Sequence, residues 1–214
     1  MAAVEDRLRA EYFELLPDMR RVVEELEAEV RHCLLPMSRG LERHEQLVVK
    51  SRVKECESAI DALRRDLHEG RTFGEGRTFD PEKADSYTLK NLTDLAGVRV
   101  LLFPRNHVAQ ANEELRGRFP SWILDPIRGY DEAKAYYGYC EASELARGEI
   151  QIVPMLTGLS WEVEHAAIYK PSPRLVDLTR RPIMQQRVKE VLNALESFED
   201  EFEKLIRAAE LNDR

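Results

Sequence analysis

The chain of 214 residues has few cysteines and no long apolar run, and each shortage argues against a class of protein. Its three cysteines, Cys33, Cys56 and Cys140, are far apart and lack C-x-x-C spacing, which argues against a zinc site or a disulfide framework. They are expected to be reduced thiols of a cytoplasmic protein. No apolar run approaches the roughly 20 residues of a membrane span, so no contact with a membrane is predicted. The first residues also lack the basic and apolar segments of a signal peptide.

Positive charge is also in short supply, since 32 Lys and Arg residues face 40 Asp and Glu residues and leave a net charge of −8. This balance argues against a protein that coats nucleic acid by bulk charge, although it leaves room for a local basic cleft. Hydrophobic residues make up 43% of the chain and charged residues 34%. The composition therefore predicts a real core with exposed helices around it, and the length predicts a single domain over 1–214.

Apolar residues that recur every three to four positions predict long helices at both ends of the chain. One helix is predicted over 4–34, where Pro17 should kink or split it, and a second over about 41–68. A last helix is predicted over about 183–211. The terminal helices have more apolar surface than a small sheet can cover. We therefore expect them to pack on each other and on a second subunit, which would make the protein a homo-oligomer.

The middle of the chain alternates between strand and helix patterns. A buried strand is predicted over 97–103, a helix over 106–119 and a short strand over 122–124. A hairpin is predicted from 139–145 and 149–155 with its turn at 146–148, before a helix over 158–168 that Thr157 can cap. These elements predict an α/β (α+β) fold with a mixed sheet of about four or five strands, flanked by the long N- and C-terminal helices.

Two carboxylates, Asp94 and Glu149, each lie at the mouth of a predicted apolar strand. If the two strands are neighbours, the carboxylates converge, and such a pair is a common way to hold Mg²⁺ against a nucleotide phosphate. Each residue also has a plainer interpretation. Asp94 could cap a turn before its strand, and Glu149 could be a turn residue of its hairpin.

Cations and an aromatic side chain complete the candidate set. Arg52, Lys54 and Ser58 lie within the predicted helix over 41–68, where a guanidinium and an ammonium held close together could clamp a triphosphate. The alternative is a solvated helix face. Tyr139 follows Gly138, and a flat ring beside a glycine suits base stacking, which contributes about 1–3 kcal/mol per base. The alternative for this tyrosine is packing on the sheet.

The order of these motifs resembles the RelA/SpoT synthetase domain, which is the domain of the alarmone synthetases. The resemblance covers roughly residues 45–170, with helical flanks at 1–44 and 171–214, and it points to a small single-domain member. The motifs that carry it are Arg52-x-Lys54-x-x-x-Ser58, Asp94-Leu95-Ala96-Gly97-Val98-Arg99, Gly138-Tyr139, Glu149-Ile150-Gln151-Ile152 and Trp161-x-x-Glu164-His165-x-x-x-Tyr169-Lys170.

The resemblance implies a nucleotidyltransferase-like fold and a pyrophosphokinase that moves the β,γ-diphosphate of ATP onto the ribose 3′-hydroxyl of GDP or GTP, giving (p)ppGpp. It also implies a role for each matching residue. Asp94 and Glu149 would hold Mg²⁺, and Glu149 would also take the proton of the attacking hydroxyl. The remaining roles are Arg52 and Arg99 on either side of the adenine, Lys54 and Ser58 at the ATP phosphates, Tyr139 stacked on the acceptor base, and Lys134 one residue out of register from a lysine that the family uses for acceptor phosphates.

The acceptor side departs from the family pattern at two positions. Ser143 stands where the family often has a histidine, and Val153 stands where many members have an arginine. Three hypotheses follow. The first is a small alarmone synthetase. The second is a toxin-like relative that modifies an adenosine nucleotide or the 3′ end of tRNA and has an antitoxin as partner. The third is a non-catalytic nucleotide-binding protein. A tRNA substrate needs a basic surface, which the N-terminal arginines Arg20, Arg21, Arg31, Arg39 and Arg43 could supply.

Overall fold

A computed structural model describes residues 2–66, 79, 81–127, 133–141, 143–164 and 182–212 of the chain. The described helices are α1 (Ala2–Cys33), α2 (Leu35–Gly40), α3 (Cys56–Asp66), α4 (His107–Arg118), α5 (Met155–Glu164) and α6 (Pro182–Asn212). The strands are β1 (Gln46–Val53), β2 (Ala96–Phe103), β3 (Ile123–Pro126), β4 (Lys134–Cys140) and β5 (Ser143–Pro154). Short 3₁₀ turns occupy Pro81–Ser86 and Leu89–Asn91.

The five strands form one mixed sheet in the order β1-β2-β5-β4-β3. Its centre is the parallel pair β2 and β5, and the other neighbouring strands are antiparallel. The apolar run of β2 is buried almost throughout, as a central strand with both faces covered should be. The predicted α/β class, the strand number and the long terminal helices are thereby confirmed.

Helix α1 covers one face of the sheet, because its apolar residues recur every three to four positions and form a continuous stripe. The helix continues through Pro17, so the prediction that proline splits it is wrong. Leu15 and Met19 are buried on either side of the proline, and their packing on the core offsets the lost backbone hydrogen bond. The buried stripe consists of Val4, Leu8, Tyr12, Leu15, Met19, Val22, Leu26 and Val30.

A pair of glycines lets α1 and the loop before β3 come close to this face. Gly138 of β4 lies directly opposite Gly148 of β5. A Cβ atom on Gly138 would lie 2.6 Å from the indole of Trp122, and one on Gly148 would lie 2.5 Å from Leu26 Cδ1. The two missing side chains therefore form a recess that the tryptophan and the leucine fill.

The predicted helix over 41–68 is wrong in its first half, since Gln46–Val53 is the edge strand β1. This segment contains Val48, Val49 and Val53, and β-branched side chains favour strands over helices. The second half is confirmed as α3. The error matters because Arg52 lies on a strand, and Ser58 alone of the predicted phosphate-binding trio lies on a helix.

The hairpin turn is also misplaced by the sequence prediction. β4 ends at Cys140 and β5 begins at Ser143, so Gly148 lies inside a strand. The glycine serves close packing there and not a turn. Consequently Glu149 lies well inside β5 and not at a strand mouth, whereas Asp94 lies at the mouth of β2 as predicted. Thr157 is buried within α5, which begins at Met155, so the predicted cap is wrong.

Helix α5 lies against β2 and β5, and α6 packs on α5. Helix α1 packs mainly on the sheet and on α3. The terminal helices therefore pack mainly against different elements, and the expectation that they pack on each other is wrong. All three cysteines are free thiols. Within the described part of the chain, no helix has the length and apolar character that a membrane crossing requires.

Candidate active site

The sheet face turned away from the core carries aligned polar side chains. In the strand register, Arg52 of β1 pairs with Gly97 of β2, Gly97 pairs with Glu149 of β5, and Glu149 pairs with Tyr137 of β4. Paired residues of neighbouring strands point to the same face of a sheet. The next row contains Lys50, Arg99 and Gln151 in the same manner. Strand alternation therefore separates this polar face from the apolar face beneath α1.

A cleft of about 340 Å³ lies between this polar face and α5. Gly97 contributes no side chain at its centre, which leaves Arg52 and Glu149 exposed to one another across β2. The cleft is lined by Lys50, Ser51, Arg52, Gly97, Val98, Arg99, Glu149, Gln151, Trp161 and Glu162.

Glu149 is the buried acid of the cleft, with only 4% of its surface exposed. Its Oε1 accepts a hydrogen bond from Gln151 Nε2 at 2.8 Å, and the Tyr137 hydroxyl also bonds to the carboxylate. Arg52 Nη2 lies 3.6 Å from its Oε2. Burial raises the pKa of Glu149 above that of an ordinary glutamate, and the charge of Asp94 raises it further. A buried carboxylate with a raised pKa in a cleft is a candidate proton acceptor.

Asp94 lies just before β2, where it forms an ion pair with Lys54 Nζ. The lysine backbone is fixed on both sides, since its N–H donates to Leu95 O at 2.8 Å and its carbonyl accepts from the Tyr12 hydroxyl at 2.9 Å. Asp94 is close enough to Glu149 for its charge to raise the pKa of that residue. This electrostatic coupling supports the prediction that the two carboxylates converge.

The oxygen donors of Asp94 and Glu149 fit a magnesium ion. Mg²⁺ is commonly held by one or two carboxylates and completes its shell with phosphate oxygens and water. Among the residues with described placement, no group of three or more His, Cys, Asp and Glu side chains could hold a metal ion. An ion held by these two acids would relieve the repulsion between them.

Arg99 lies across the cleft floor with its guanidinium held on two sides. Its Nε donates to Gln151 Oε1 at 2.8 Å, and its charged carbon lies 5.8 Å from the centre of the Trp161 ring. Burial lowers the pKa of Arg99, and the nearby charge of Arg52 lowers it further. Two guanidinium groups therefore share one cleft. That they flank an adenine, as the motif resemblance implies, stays a prediction.

Sequence reasoning missed an ion pair at the other wall. Lys50 Nζ lies 3.0 and 2.9 Å from the two carboxylate oxygens of Glu162 on α5. Arg99 Nη1 lies 3.9 Å from the same carboxylate. The signal that could have found Lys50 is the two-residue period of a strand, because Lys50 and Arg52 share a face only if the segment is extended.

Tyr139 lies on the same sheet face as Glu149, two residues from Tyr137 along β4. Half of its surface is exposed. Arg147 lies beside it, with Nε donating to the hydroxyl at 2.9 Å and the guanidinium 5.0 Å from the ring centre. Arg147 therefore lies over one face of this exposed ring. Stacking of a planar base on Tyr139 stays a prediction.

Two predicted site residues lie elsewhere. Lys134 pairs with Ile152, so strand alternation places it on the opposite face from Glu149. Ser58 is half-buried on α3 and is not part of the cleft lining. The predicted roles of both residues gain no support from these positions. His165, Tyr169 and Lys170 of the sequence motif lie outside the described residues.

Ser143 and Val153, the two departures from the family pattern, each make local packing or backbone contacts. The Ser143 hydroxyl accepts hydrogen bonds from the backbone N–H groups of Leu145 at 2.9 Å and Ala146 at 3.3 Å. Val153 is fully buried in a small apolar cluster with Leu101. Serine therefore fixes the start of β5, and valine supports the contact between the sheet and α5.

Comparison with known proteins finds similar solved structures, whereas the two sequence-based searches find no match. No family model matches the chain. A search of curated proteins also finds no match. Among solved structures, small alarmone synthetase 1 from Bacillus subtilis superposes with a TM-score of 0.65 at 17% identity, over 94% of this chain and 98% of that one. Two complexes of the same Bacillus subtilis protein are also similar to this chain. The complex with AMPCPP has a TM-score of 0.64 at 18% identity, over 94% of this chain and 98% of that one. The complex with its product pppGpp has a TM-score of 0.64 at 18% identity, over 94% of this chain and 99% of that one.

A second structural neighbour is a GTP pyrophosphokinase family protein from Streptococcus pneumoniae, with a TM-score of 0.63 at 18% identity over 91% of this chain and 92% of that one. These likenesses extend over nearly the whole of each chain. The chain therefore has the fold of the small alarmone synthetases, in agreement with the resemblance that its motifs show.

Proposed function

We propose that the chain is a pyrophosphokinase that transfers the β,γ-diphosphate of ATP to the 3′-hydroxyl of GDP or GTP, giving (p)ppGpp. One observation carries the proposal. Glu149, whose pKa is raised by burial and further by the charge of Asp94, faces Arg52 and Arg99 in a single cleft. The shared fold with a protein seen in complex with AMPCPP and with its product pppGpp supports the same classes of ligand.

The cations of the cleft provide the donor site in this proposal. Arg52 and Arg99 flank the adenine, and the ammonium of Lys54 approaches the phosphates from the mouth of β2. The ion pair of Lys54 with Asp94 supports this role, because it keeps the ammonium beside one of the two carboxylates. Mg²⁺ held by Asp94 and Glu149 would neutralise phosphate charge and align the diphosphate for in-line attack.

The transfer itself needs one proton acceptor. The 3′-hydroxyl oxygen attacks the β-phosphorus of ATP, the bond from that phosphorus to the oxygen bridging the α-phosphate breaks, and AMP leaves with that oxygen. Glu149 takes the hydroxyl proton. Because its pKa is raised, it is a stronger base than an exposed glutamate. The hydrogen bonds from Gln151 and Tyr137 keep the carboxylate in one orientation.

The test uses γ-labelled ATP with Mg²⁺ and one acceptor at a time. We expect label on GDP or GTP. Label only on AMP, ADP or bulk tRNA would favour the toxin-like alternative, for which an antitoxin partner stays a prediction. Retained nucleotide binding without transfer to any acceptor would favour a non-catalytic protein. Arg21 and Arg31 pair with Asp18 and Glu27 on their own helix, which weakens the basic surface that a tRNA acceptor needs.

Replacing Tyr139 is expected to affect the acceptor and not the donor. Tyr139→Ala removes a stacking surface that contributes about 1–3 kcal/mol, so we expect the KM for GDP or GTP to rise about tenfold or more. The KM for ATP should stay within about twofold. Tyr139→Phe is the matched control, because it keeps the ring and loses only the hydrogen bond from Arg147. Steady-state kinetics with each substrate varied would measure this, and an unchanged acceptor KM in Tyr139→Ala would exclude the stacking role.

We also propose that a second copy of the chain covers α6. Val191, Phe198 and Leu205 are spaced seven residues apart along this helix, and each is more than half exposed. A seven-residue apolar repeat is the pattern of helices that pack side by side. Sedimentation at micromolar concentration is expected to show a dimer or a larger oligomer, and Phe198→Glu should shift it toward monomer. A monomer in the unsubstituted protein would refute the homo-oligomer.

A further inference from the structure

We propose that Glu162 is a specificity-determining residue that binds the 6-amino group of the donor purine and rejects a purine with oxygen at that position. The inference rests on the proposed function, since it assumes that the base of ATP lies between Arg52 and Arg99. It concerns a residue of α5 that the sequence motifs do not assign to the site.

The charges of the cleft place Glu162 at the base end of the nucleotide. The phosphate end is defined by Lys54, Asp94 and Glu149, where the two acids can share a cation. Glu162 lies against Lys50 and Arg99 on the opposite side of Arg52 along β1. A phosphate next to this third carboxylate would be repelled, whereas an uncharged base would not.

The surfaces beside Glu162 are suited to a flat ligand. Arg99 is fixed by Gln151 at 2.8 Å and lies over the Trp161 ring at 5.8 Å. A guanidinium held in this way presents one planar face to the cleft and stacks well on an aromatic ring. A purine stacked on Arg99 has its edge directed at the wall of the cleft that α5 forms, where Glu162 lies.

The carboxylate of Glu162 is held in place and can still accept further hydrogen bonds. Lys50 Nζ lies 3.0 Å from one oxygen and 2.9 Å from the other, so the side chain has one defined orientation. An ionised carboxylate has about four acceptor positions, of which the lysine uses two. The side chain is 41% exposed and faces the cleft.

Hydrogen-bond polarity then decides between purines. A carboxylate only accepts hydrogen bonds, so it attracts the 6-amino group of adenine and repels the 6-oxo group of hypoxanthine. Inosine triphosphate differs from ATP in the hydrogen-bond pattern of this edge and keeps the ribose and the phosphates. Polar sites that recognise one hydrogen-bonding group discriminate strongly against analogues that lack it.

The experiment compares ATP with ITP in the full-length protein in the presence of Mg²⁺. Isothermal titration calorimetry gives the two dissociation constants, and the transfer assay gives kcat/KM for each donor. We expect the unsubstituted protein to prefer ATP by about tenfold or more in both measurements. In Glu162→Gln the ratio should fall toward one, because the amide can offer either an oxygen or an N–H group.

Glu201→Gln is the matched control, since it removes an exposed carboxylate that pairs with Lys204 on α6. It should leave the ATP to ITP ratio unchanged. A purely structural role of Glu162 would weaken both nucleotides equally and also leave the ratio unchanged. Equal binding of ATP and ITP by the unsubstituted protein, or an unchanged ratio in Glu162→Gln, overturns the inference.

The two measurements separate this inference from the proposed reaction. Discrimination in binding without any transfer would retain the role of Glu162 and refute the pyrophosphokinase. Transfer that proceeds equally well with ATP and ITP would support the pyrophosphokinase and refute the role of Glu162. If neither nucleotide binds, the inference falls together with the donor site.

Discussion

Glu149→Gln is expected to reduce diphosphate transfer by at least about 10³-fold, because general-base catalysis alone contributes about 10²–10⁴-fold and the substitution also removes a ligand for Mg²⁺. The amide keeps the size of the side chain and one acceptor for the hydrogen bond from Gln151. Single-turnover kinetics with γ-labelled ATP would measure the loss.

Glu144→Gln provides the matched control for this experiment. Glu144 lies on the same strand, five residues earlier, and is exposed. Its substitution changes the net charge by the same amount and should leave transfer within about twofold. Transfer that survives in Glu149→Gln would contradict both the proposed base and the shared ion.

Glu149→Gln is also expected to raise the unfolding free energy of the protein without bound nucleotide or metal. Burial and the Asp94 charge raise the pKa of Glu149, so the folded state favours the protonated form. Protonated Glu149 makes its full contribution to stability at pH values below the pKa that this residue has in the unfolded chain. That contribution is lost as the pH rises through the higher pKa of Glu149 in the folded state. The unfolding free energy of Glu149→Gln should therefore exceed that of the unsubstituted protein by more at pH 8 than at pH 5. Urea unfolding with EDTA at both pH values tests this, and an equal difference at both would contradict it.

Gly138→Ala is expected to lower the unfolding free energy by about 1–3 kcal/mol, the usual cost of overfilling a packed core. The new Cβ would lie 2.6 Å from three atoms of the Trp122 indole. A rigid ring wedged above β4 cannot yield as the end of a flexible side chain can. Equilibrium unfolding in urea, with the midpoint and slope measured together, gives the change.

Gly117→Ala is the control with the opposite expected sign. Gly117 lies in α4, and a Cβ atom there would meet nothing within 4 Å apart from its chain neighbours and the backbone of its own helix. Alanine in a helix is more favourable than glycine by up to about 1 kcal/mol, so this variant should be as stable as the unsubstituted protein or more so. A stability loss in Gly117→Ala as large as that in Gly138→Ala would show that the recess is not the cause.

Local patterns in the sequence identify most of the scaffold. The apolar stripe of α1 and the run of β2 are long enough for their periods to be decisive. The segment of β1 is wrongly predicted to be helical, because the apolar residues at 47, 48 and 53 also fit a helical stripe that continues into α3. The choice is made by tertiary structure, since only an extended segment can pair with Arg99 and Gly97 of β2.

The sequence also identifies some residues of the candidate site and misses others. The motif residues Arg52, Arg99 and Glu149 are found from sequence because their spacing resembles a known family. The bond between Lys50 and Glu162 spans 112 positions of the chain, and nothing local connects its two ends. The strand register and the position of α5 bring these residues together, and a single sequence contains neither. The opposite case is Lys134, whose proximity in sequence to Tyr139 conceals that it lies on the other face of the sheet.

The alternation of side chains along β1, β2 and β5 has a consequence for how this protein could diversify. Beside the cleft, every second position supports the hydrophobic core beneath α1, and the positions between them, among them Lys50, Arg99 and Gln151, line the cleft. Exchanges at Lys50, Arg99 or Gln151 therefore leave the interior untouched. New substrate preferences could be reached by single substitutions, each compatible with a folded intermediate, so the architecture separates evolutionary adaptation of chemistry from the requirement to remain folded.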